Sequence, residues 1–173
     1  MPLYERILVP TDGSSAGRRA VEHAAALAAT HGATVVGVYV VNTAGYAGLP
    51  MESSWEGLDD MLRADGDAAL ETVREVAEDR GVPVETHVLE GSPSRQIVEF
   101  AEREGCDLVV MSTHGRGGID RLLLGSVAEK VVRSANVPVM TVRVGCESVP
   151  GVDEARGESE TAPEADASAG VDA

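Results

Sequence analysis

Leu108-Val109-Val110-Met111-Ser112-Thr113-His114-Gly115, followed after a nine-residue spacer by Gly125-Ser126-Val127-Ala128, is the stretch whose reading decides the fold. A short apolar run leads into small polar residues and glycine. A segment with helical spacing, Ser126 to Ala135, leads out. Strand, loop and helix start in that order aim several unpaired backbone N–H groups at one place, where an anion such as phosphate can sit. The rest of the chain must supply the other half of any such site.

Working outward, strand-like runs alternate with helix-like ones. Arg6-Ile7-Leu8-Val9 is apolar and closed by Pro10, after which Ser14 or Ser15 caps a helix reaching about His31, with Gly32 as its stop. Thr34 to Val41 is β-branched and nearly all apolar, as befits a strand buried on both faces. A Gly-containing loop, Asn42 to Leu49, precedes a second helix from Trp55 to Arg80, weakened or interrupted near Gly57 and Gly66. Val84 to Glu90 sets Val84, Thr86 and Val88 against Glu85, His87 and Leu89, the alternation of a half-exposed strand. Ser92 as N-cap, Pro93 at the first helical position and Gly105 as stop frame a third helix. Asp107 to Met111 is the fourth strand and Val137 to Val144 the fifth.

This alternation implies an α/β protein with a parallel sheet and right-handed crossovers. The third strand is the most polar and suits an edge; the first, second and fourth suit the centre. The order 3-2-1-4-5 satisfies both and reverses between strands 1 and 4. Ligands bind at such a reversal, beyond the carboxyl ends of the strands. That rule brings Pro10-Thr11-Asp12 beside Ser112-Thr113-His114-Gly115.

Acidic residues outnumber basic ones 29 to 14, for a formal charge of −15. Such a chain repels nucleic acid and anionic membrane surfaces, whose binding requires cations. Lys130 is the sole lysine. Acidic excess with almost no lysine suggests a halophile's protein; a genome favouring arginine codons is the alternative. Cys106 and Cys146 lack metal-ligand spacing and read as apolar filler. The N-terminus shows no secretory h-region and no run reaches membrane-span length, so the expectation is a soluble, cytoplasmic protein. Residues 1–144 form the domain. From 145 to 173 the chain is a tail with eight acidic residues against Arg156 alone, expected to be disordered.

Within the loops, Asp12 can accept from a ribose hydroxyl or an adenine amino group, with the Pro10-Thr11 backbone as a wall. It or Ser14 can equally be a helix cap. Gly125, Ser126 and Val127 offer backbone N–H groups to phosphate, with the Ser126 hydroxyl beside them. Against that, Ser126-Val127-Ala128-Glu129 matches a capping box, which would use the same donors internally. Arg116 and Arg121 lie in the spacer as candidate counter-charges or ion-pair partners. His114 lacks ligand partners for a metal role and reads as a loop residue hydrogen-bonded to backbone. Neither a Walker A loop nor a nucleophile elbow is present. Val137, Val139, Met140, Val142 and Val144 make the fifth strand apolar on both faces although it lies at an edge. Pairing with a second copy across a two-fold axis resolves that hazard; cover by the tail or a helix is the alternative.

Ile7-Leu8-Val9-Pro10-Thr11-Asp12-Gly13-Ser14, Met111 to Gly118, Leu122 to Val131 and Val137 to Val142 together resemble the universal stress protein family over about residues 3 to 144. The resemblance implies a Rossmann-like three-layer sandwich, a homodimer joined through the last strand, Val137 to Val144, and a role in stress resistance. One branch of that family binds ATP through G-x-x-G-x9-G-[ST]. Gly115, the spacer and Gly125-Ser126 match it, while Ser112 stands at the first glycine. By the same resemblance Pro10, Thr11, Asp12, Val40 and Met111 would surround adenine and ribose, and Ser112, Gly115, Gly125, Ser126 and Val127 the phosphates, with Mg2+ or Mn2+ as candidate counter-ions. The leading expectation is a non-enzymatic, ATP-holding regulator. The alternatives are a stress protein of this fold that acts by protein contacts without nucleotide, and a slow ATPase.

Overall fold

Ile7, Leu8 and Val9 are wholly buried, because the strand that carries them, β1 (Arg6–Pro10), lies in the middle of a five-stranded parallel sheet. The computed structural model describes residues 2–42, 55–115 and 124–143, with side chains throughout except at 55–59. The loop after Asn42, the spacer with Arg116 and Arg121, Val144, Cys146 and the tail lie outside the described residues.

The elements follow in strict alternation: α1 (Ser15–His31), β2 (Thr34–Val41), α2 (Trp55–Glu78), β3 (Val84–Glu90), α3 (Pro93–Arg103), β4 (Leu108–Ser112), α4 (Ser126–Ser134) and β5 (Val139–Val142). The sheet order is β3-β2-β1-β4-β5, as the polarity of the strands predicted, and every pairing is parallel. The period-2 alternation of each strand sorts its side chains between two layers. Ile7, Val9, Val35, Leu108 and Val110 pack under α1 and α2, against Ala20, Ala24, Ala28 and Val73. Leu8, Val36, Val38, Val109 and Met111 pack on the opposite face with Ile97 and Phe100 of α3 and Val131 of α4. The small side chains of α1 let that helix lie close on the strands.

Local chemistry sets the element ends. The Ser14 hydroxyl accepts from Gly17 N–H at 3.1 Å, and Gly32 closes α1 at φ +69°, a conformation costly for any other residue. Ser92 occupies the N-cap of α3, but its side chain makes no capping bond there; Pro93 supplies the preset φ instead. At the amino ends of the strands, the Asp107 carboxylate accepts from Glu5 N–H at 2.7 Å. Arg6 reaches across β2 to hold Glu85 of β3 with two bonds of 2.9 Å. That pairing pulls the Glu85 carboxyl below its ordinary range.

Three expectations change. The second helix is not broken at Gly57 or Gly66 but runs without interruption from Trp55 to Glu78. At Gly66 an added Cβ would lie 2.8 Å from Cδ1 of Tyr39, so the glycine is a seat for that ring. The fourth strand is shifted by one residue at each end, since Asp107 is spent on bonds to β1. The fifth, expected from Val137, begins at Val139. Before it, the Pro138 carbonyl still accepts from Val109 N–H at 3.0 Å. On β5, Met140 and Val142 pack toward α1, and Val139 packs toward α3 and α4.

Candidate functional site

Pro10 ends β1 for a simple reason: with no N–H it cannot donate onward to a neighbouring strand. Thr11 N–H still reaches Val38 O at 2.9 Å, and then the chain turns away. The turn is held by Asp12, whose Oδ1 accepts from Ser14 N–H at 3.0 Å and from the Ser14 hydroxyl at 2.5 Å. Gly13, at φ +75°, provides the sharp corner. The capping reading of this loop is the one the hydrogen bonds show. Ser14 caps α1, Asp12 buttresses that cap, and the carboxylate so fixed also faces the second loop.

The second loop leaves β4 at Ser112. Thr113 N–H donates to Val142 O at 3.1 Å and Thr113 O accepts from Gly125 N–H at 2.6 Å, so the start of α4 is fastened directly to the end of β4. The Ser112 hydroxyl donates to His114 O at 2.7 Å, and Thr113 Oγ1 lies 2.9 Å from His114 Nδ1. The histidine ring is thus held by a side chain, where the sequence suggested backbone. The two loops meet: a Cβ placed on Gly115 would stand 2.8 Å from Asp12 Oδ2.

The capping box expected at Ser126 does not form. Gly125 is the N-cap, in extended conformation, and no side chain caps the helix. Glu129, which would have closed the box, pairs with Arg133 at 2.7 Å. The first intrahelical bond runs from Glu129 N–H to Gly125 O at 2.8 Å. The amides of Ser126, Val127 and Ala128 precede it, at the positive end of the helix dipole. An added Cβ at Gly125 would meet Thr113 O at 2.9 Å, so the packing of α4 on the end of β4 requires a glycine there whatever the crevice holds.

Between the loops lies a crevice of about 450 Å3. Its walls include Pro10, Thr11, Asp12, Val40, Met111, Ser112, Gly115, Gly125, Ser126 and Val127, the ten residues that the family resemblance would place around a nucleotide. Val38, Tyr39, Pro93, Ile97, Thr113, His114 and Ala128 complete it. Val38 was legible in principle, since it shares a strand face with Val40 two residues on. Pro93 and Ile97 were not, because only the docking of α3 brings them there.

Strand register adds one polar feature to this largely aliphatic slot. Thr34 N–H donates to Glu5 O, whereas Val35 N–H donates to Pro83 O, so even-numbered residues of β2 turn their backbone groups toward β1 and odd ones toward β3. β1 stops at Pro10, opposite Val38. The N–H and C=O of Val40 consequently face the space beyond the end of β1, inside the crevice. No group of three or more His, Cys, Asp or Glu side chains among the described residues could hold a metal ion. Burial pushes the Cys106 thiol up to about 11, which keeps it protonated and inert. No helix among the described residues is long and apolar enough to cross a membrane.

An open, doubly wound α/β sheet with a crevice at its switch point, closed at one end by a helix N-terminus, defines a class of ligand-binding proteins. Within it, the chain belongs to the universal stress protein family, whose sequence profile matches residues 3–143. Universal stress protein MJ0531 of Methanocaldococcus jannaschii is 45% identical over 141 residues, covering 82% of this chain and 83% of that protein. Universal stress protein MJ0577 of the same organism is 30% identical over 155 residues. Its solved structure superposes with a TM-score of 0.74, covering 83% of this chain and 98% of that one. A universal stress protein solved in complex with cAMP is 27% identical, with a TM-score of 0.62 and coverage of 81% and 97%.

Proposed function

We propose that this chain is a cytoplasmic stress-response regulator that binds an adenine nucleotide, ATP, in the crevice and acts as a homodimer without turning the nucleotide over. The observation that carries the reading is the polarity of the crevice. An aliphatic slot bounded by Val38, Val40, Ile97 and Met111 suits a flat base, and three uncapped amides at the start of α4 suit phosphate. The Val40 N–H and C=O discriminate between bases. They match the N1 acceptor and N6 donor of adenine, while guanine presents a donor and an acceptor in the reverse order. Asp12 lies between the two ends, where a ribose would sit. The relative in complex with cAMP supports an adenine nucleotide as the ligand class.

The non-enzymatic part of the proposal rests on how the polar groups are employed. Asp12 is engaged in holding Ser14, and the Nδ1 of His114 is engaged by Thr113. Mg2+ or Mn2+ would arrive with the phosphates, and the Asp12 carboxylate and the Ser126 hydroxyl are oxygen donors on the described wall. The homodimer rests on β5, whose outer edge has no strand beside it among the described residues and whose neighbour α4 exposes Val132. Ser112, in place of the motif's first glycine, is the observation that favours the protein-contact alternative.

Mass spectrometry of small molecules released on denaturing the purified protein tests the reading, together with calorimetric titration of ATP and GTP. Adenine nucleotide in near-stoichiometric yield, and ATP bound at least about tenfold more tightly than GTP, are expected from one correctly paired against one mispaired base edge. Absence of both retained nucleotide and ATP binding would leave protein contacts as the function.

A further inference from the structure

The hydroxyl of Ser112 is employed within its own loop, as a donor to His114 O at 2.7 Å. The next hydroxyl engages the ring, with Thr113 Oγ1 2.9 Å from His114 Nδ1, and Thr113 is only 7% exposed. The peptide groups of Thr113 are committed on both sides, to Val142 O and to Gly125 N–H. Residues 112–114 are therefore a junction. They join the end of β5 to the N-cap of α4, and they set Gly115 where an added Cβ would stand 2.8 Å from Asp12 Oδ2.

We propose that Ser112 is a positioning residue of the crevice: its hydroxyl locks the 112–115 turn in the form that sets Gly115 against Asp12 and the α4 amides toward the same space, and it does not itself bind phosphate. The proposal rests on the nucleotide reading above. Its physical basis is preorganisation. A glycine at this position has more backbone freedom to lose when a ligand orders the loop, whereas a serine bonded to the carbonyl two residues on has lost that freedom already. The departure from the family's ATP-binding pattern at Ser112 is in this light compensated inside the loop.

A positioning role makes a different prediction from a phosphate ligand. Loss of a direct phosphate donor weakens ATP, ADP and AMP unequally, because they place different oxygens at the site. Loss of a brace weakens all of them alike. The test uses the full chain with Ser112→Ala, Ser112→Thr and Ser112→Gly, titrated with ATP, ADP and AMP, and hydrogen exchange of residues 113–115 without nucleotide. Ser112→Ala is expected to weaken all three nucleotides by about fivefold, the equivalent of one net neutral hydrogen bond. It should also speed exchange in 113–115 while leaving the melting temperature nearly unchanged. Ser112→Thr keeps the hydroxyl and should restore both readouts. Ser112→Gly binding as tightly as wild type or tighter would overturn the proposal, since the serine would then be an obstruction. A loss confined to ATP would overturn it in favour of direct contact. If the wild type binds none of the three, the nucleotide reading falls by itself, and the brace is decided by exchange alone: unchanged protection in Ser112→Ala refutes it.

Discussion

Gly115 and Gly125 stand a spacer apart in the sequence, and both invite the same explanation, backbone close to phosphate. The structure separates them. An added Cβ at Gly125 meets Thr113 O at 2.9 Å, a main-chain atom pinned by its own hydrogen bond. The corresponding atom at Gly115 meets Asp12 Oδ2 at 2.8 Å, the far end of a side chain whose other oxygen holds Ser14. Gly125→Ala should therefore act on the fold, costing about 1–3 kcal/mol and lowering the melting temperature by several degrees, with nucleotide binding weakened as a consequence. Gly115→Ala should displace the Asp12 carboxylate, costing less stability than Gly125→Ala because only a side chain must yield, and weakening ATP by about tenfold. Thermal melts and calorimetry on the two variants check the pair; equal destabilisation by both would show that Asp12 is as rigid as backbone. The spacing of these glycines was legible in the sequence, while the reason for each was not. That reason lies in neighbours more than ten residues away for Gly125 and more than a hundred for Gly115.

Among the elements, α2 illustrates where propensity misleads. Gly66 within a helix costs about 0.5–1 kcal/mol relative to alanine, so an interruption was a fair expectation. The helix continues because the glycine admits the ring of Tyr39, which packs in a cluster with Val41, Ala69 and Leu70. Gly66→Ala, stabilising on propensity alone, should instead destabilise the domain. In a Tyr39→Ala background the clash is gone, and the same substitution should become neutral or favourable. A double-mutant cycle by urea denaturation measures the coupling, and additive effects would refute the packing account. The contrast with the strands is instructive. Their existence and order followed from short apolar runs, from the alternation of the third strand alone and from Pro10 and Gly punctuation, because a strand's polarity reports directly which neighbours cover it. The cap of α4 did not follow, since Ser126 at N1 and Ser126 at N-cap are the same residues in sequence. What decides between them is the first intrahelical bond, from Glu129 N–H to Gly125 O, which makes Gly125 the N-cap.

For the whole molecule the governing quantity is charge. With 29 acidic and 14 basic residues, even complete pairing leaves the net −15 uncompensated. The pairs seen are surface ones, such as Arg18–Glu22, Arg95–Glu99 and Arg133–Glu129. Each contributes at most about 1 kcal/mol, and salt weakens it. Salt also screens the repulsion among the unmatched carboxylates, shortening the Debye length from about 10 Å at 0.1 M to about 3 Å at 1 M. Because unmatched acids outnumber the pairs, the second effect should win, and the melting temperature should rise with KCl over that range. The same reasoning applies to an anionic ligand and to a second acidic copy docking at β5. A cationic nucleotide site loses affinity with salt, whereas here screening removes a net repulsion between protein and triphosphate. On the proposed function, ATP should therefore bind more tightly at 1 M than at 0.1 M KCl, and the proposed dimer, followed by sizing chromatography, should strengthen in parallel. A melting temperature and an ATP affinity that both fall with salt would mean that local ion pairs, including any made by Arg116 and Arg121, outweigh the field of the whole chain.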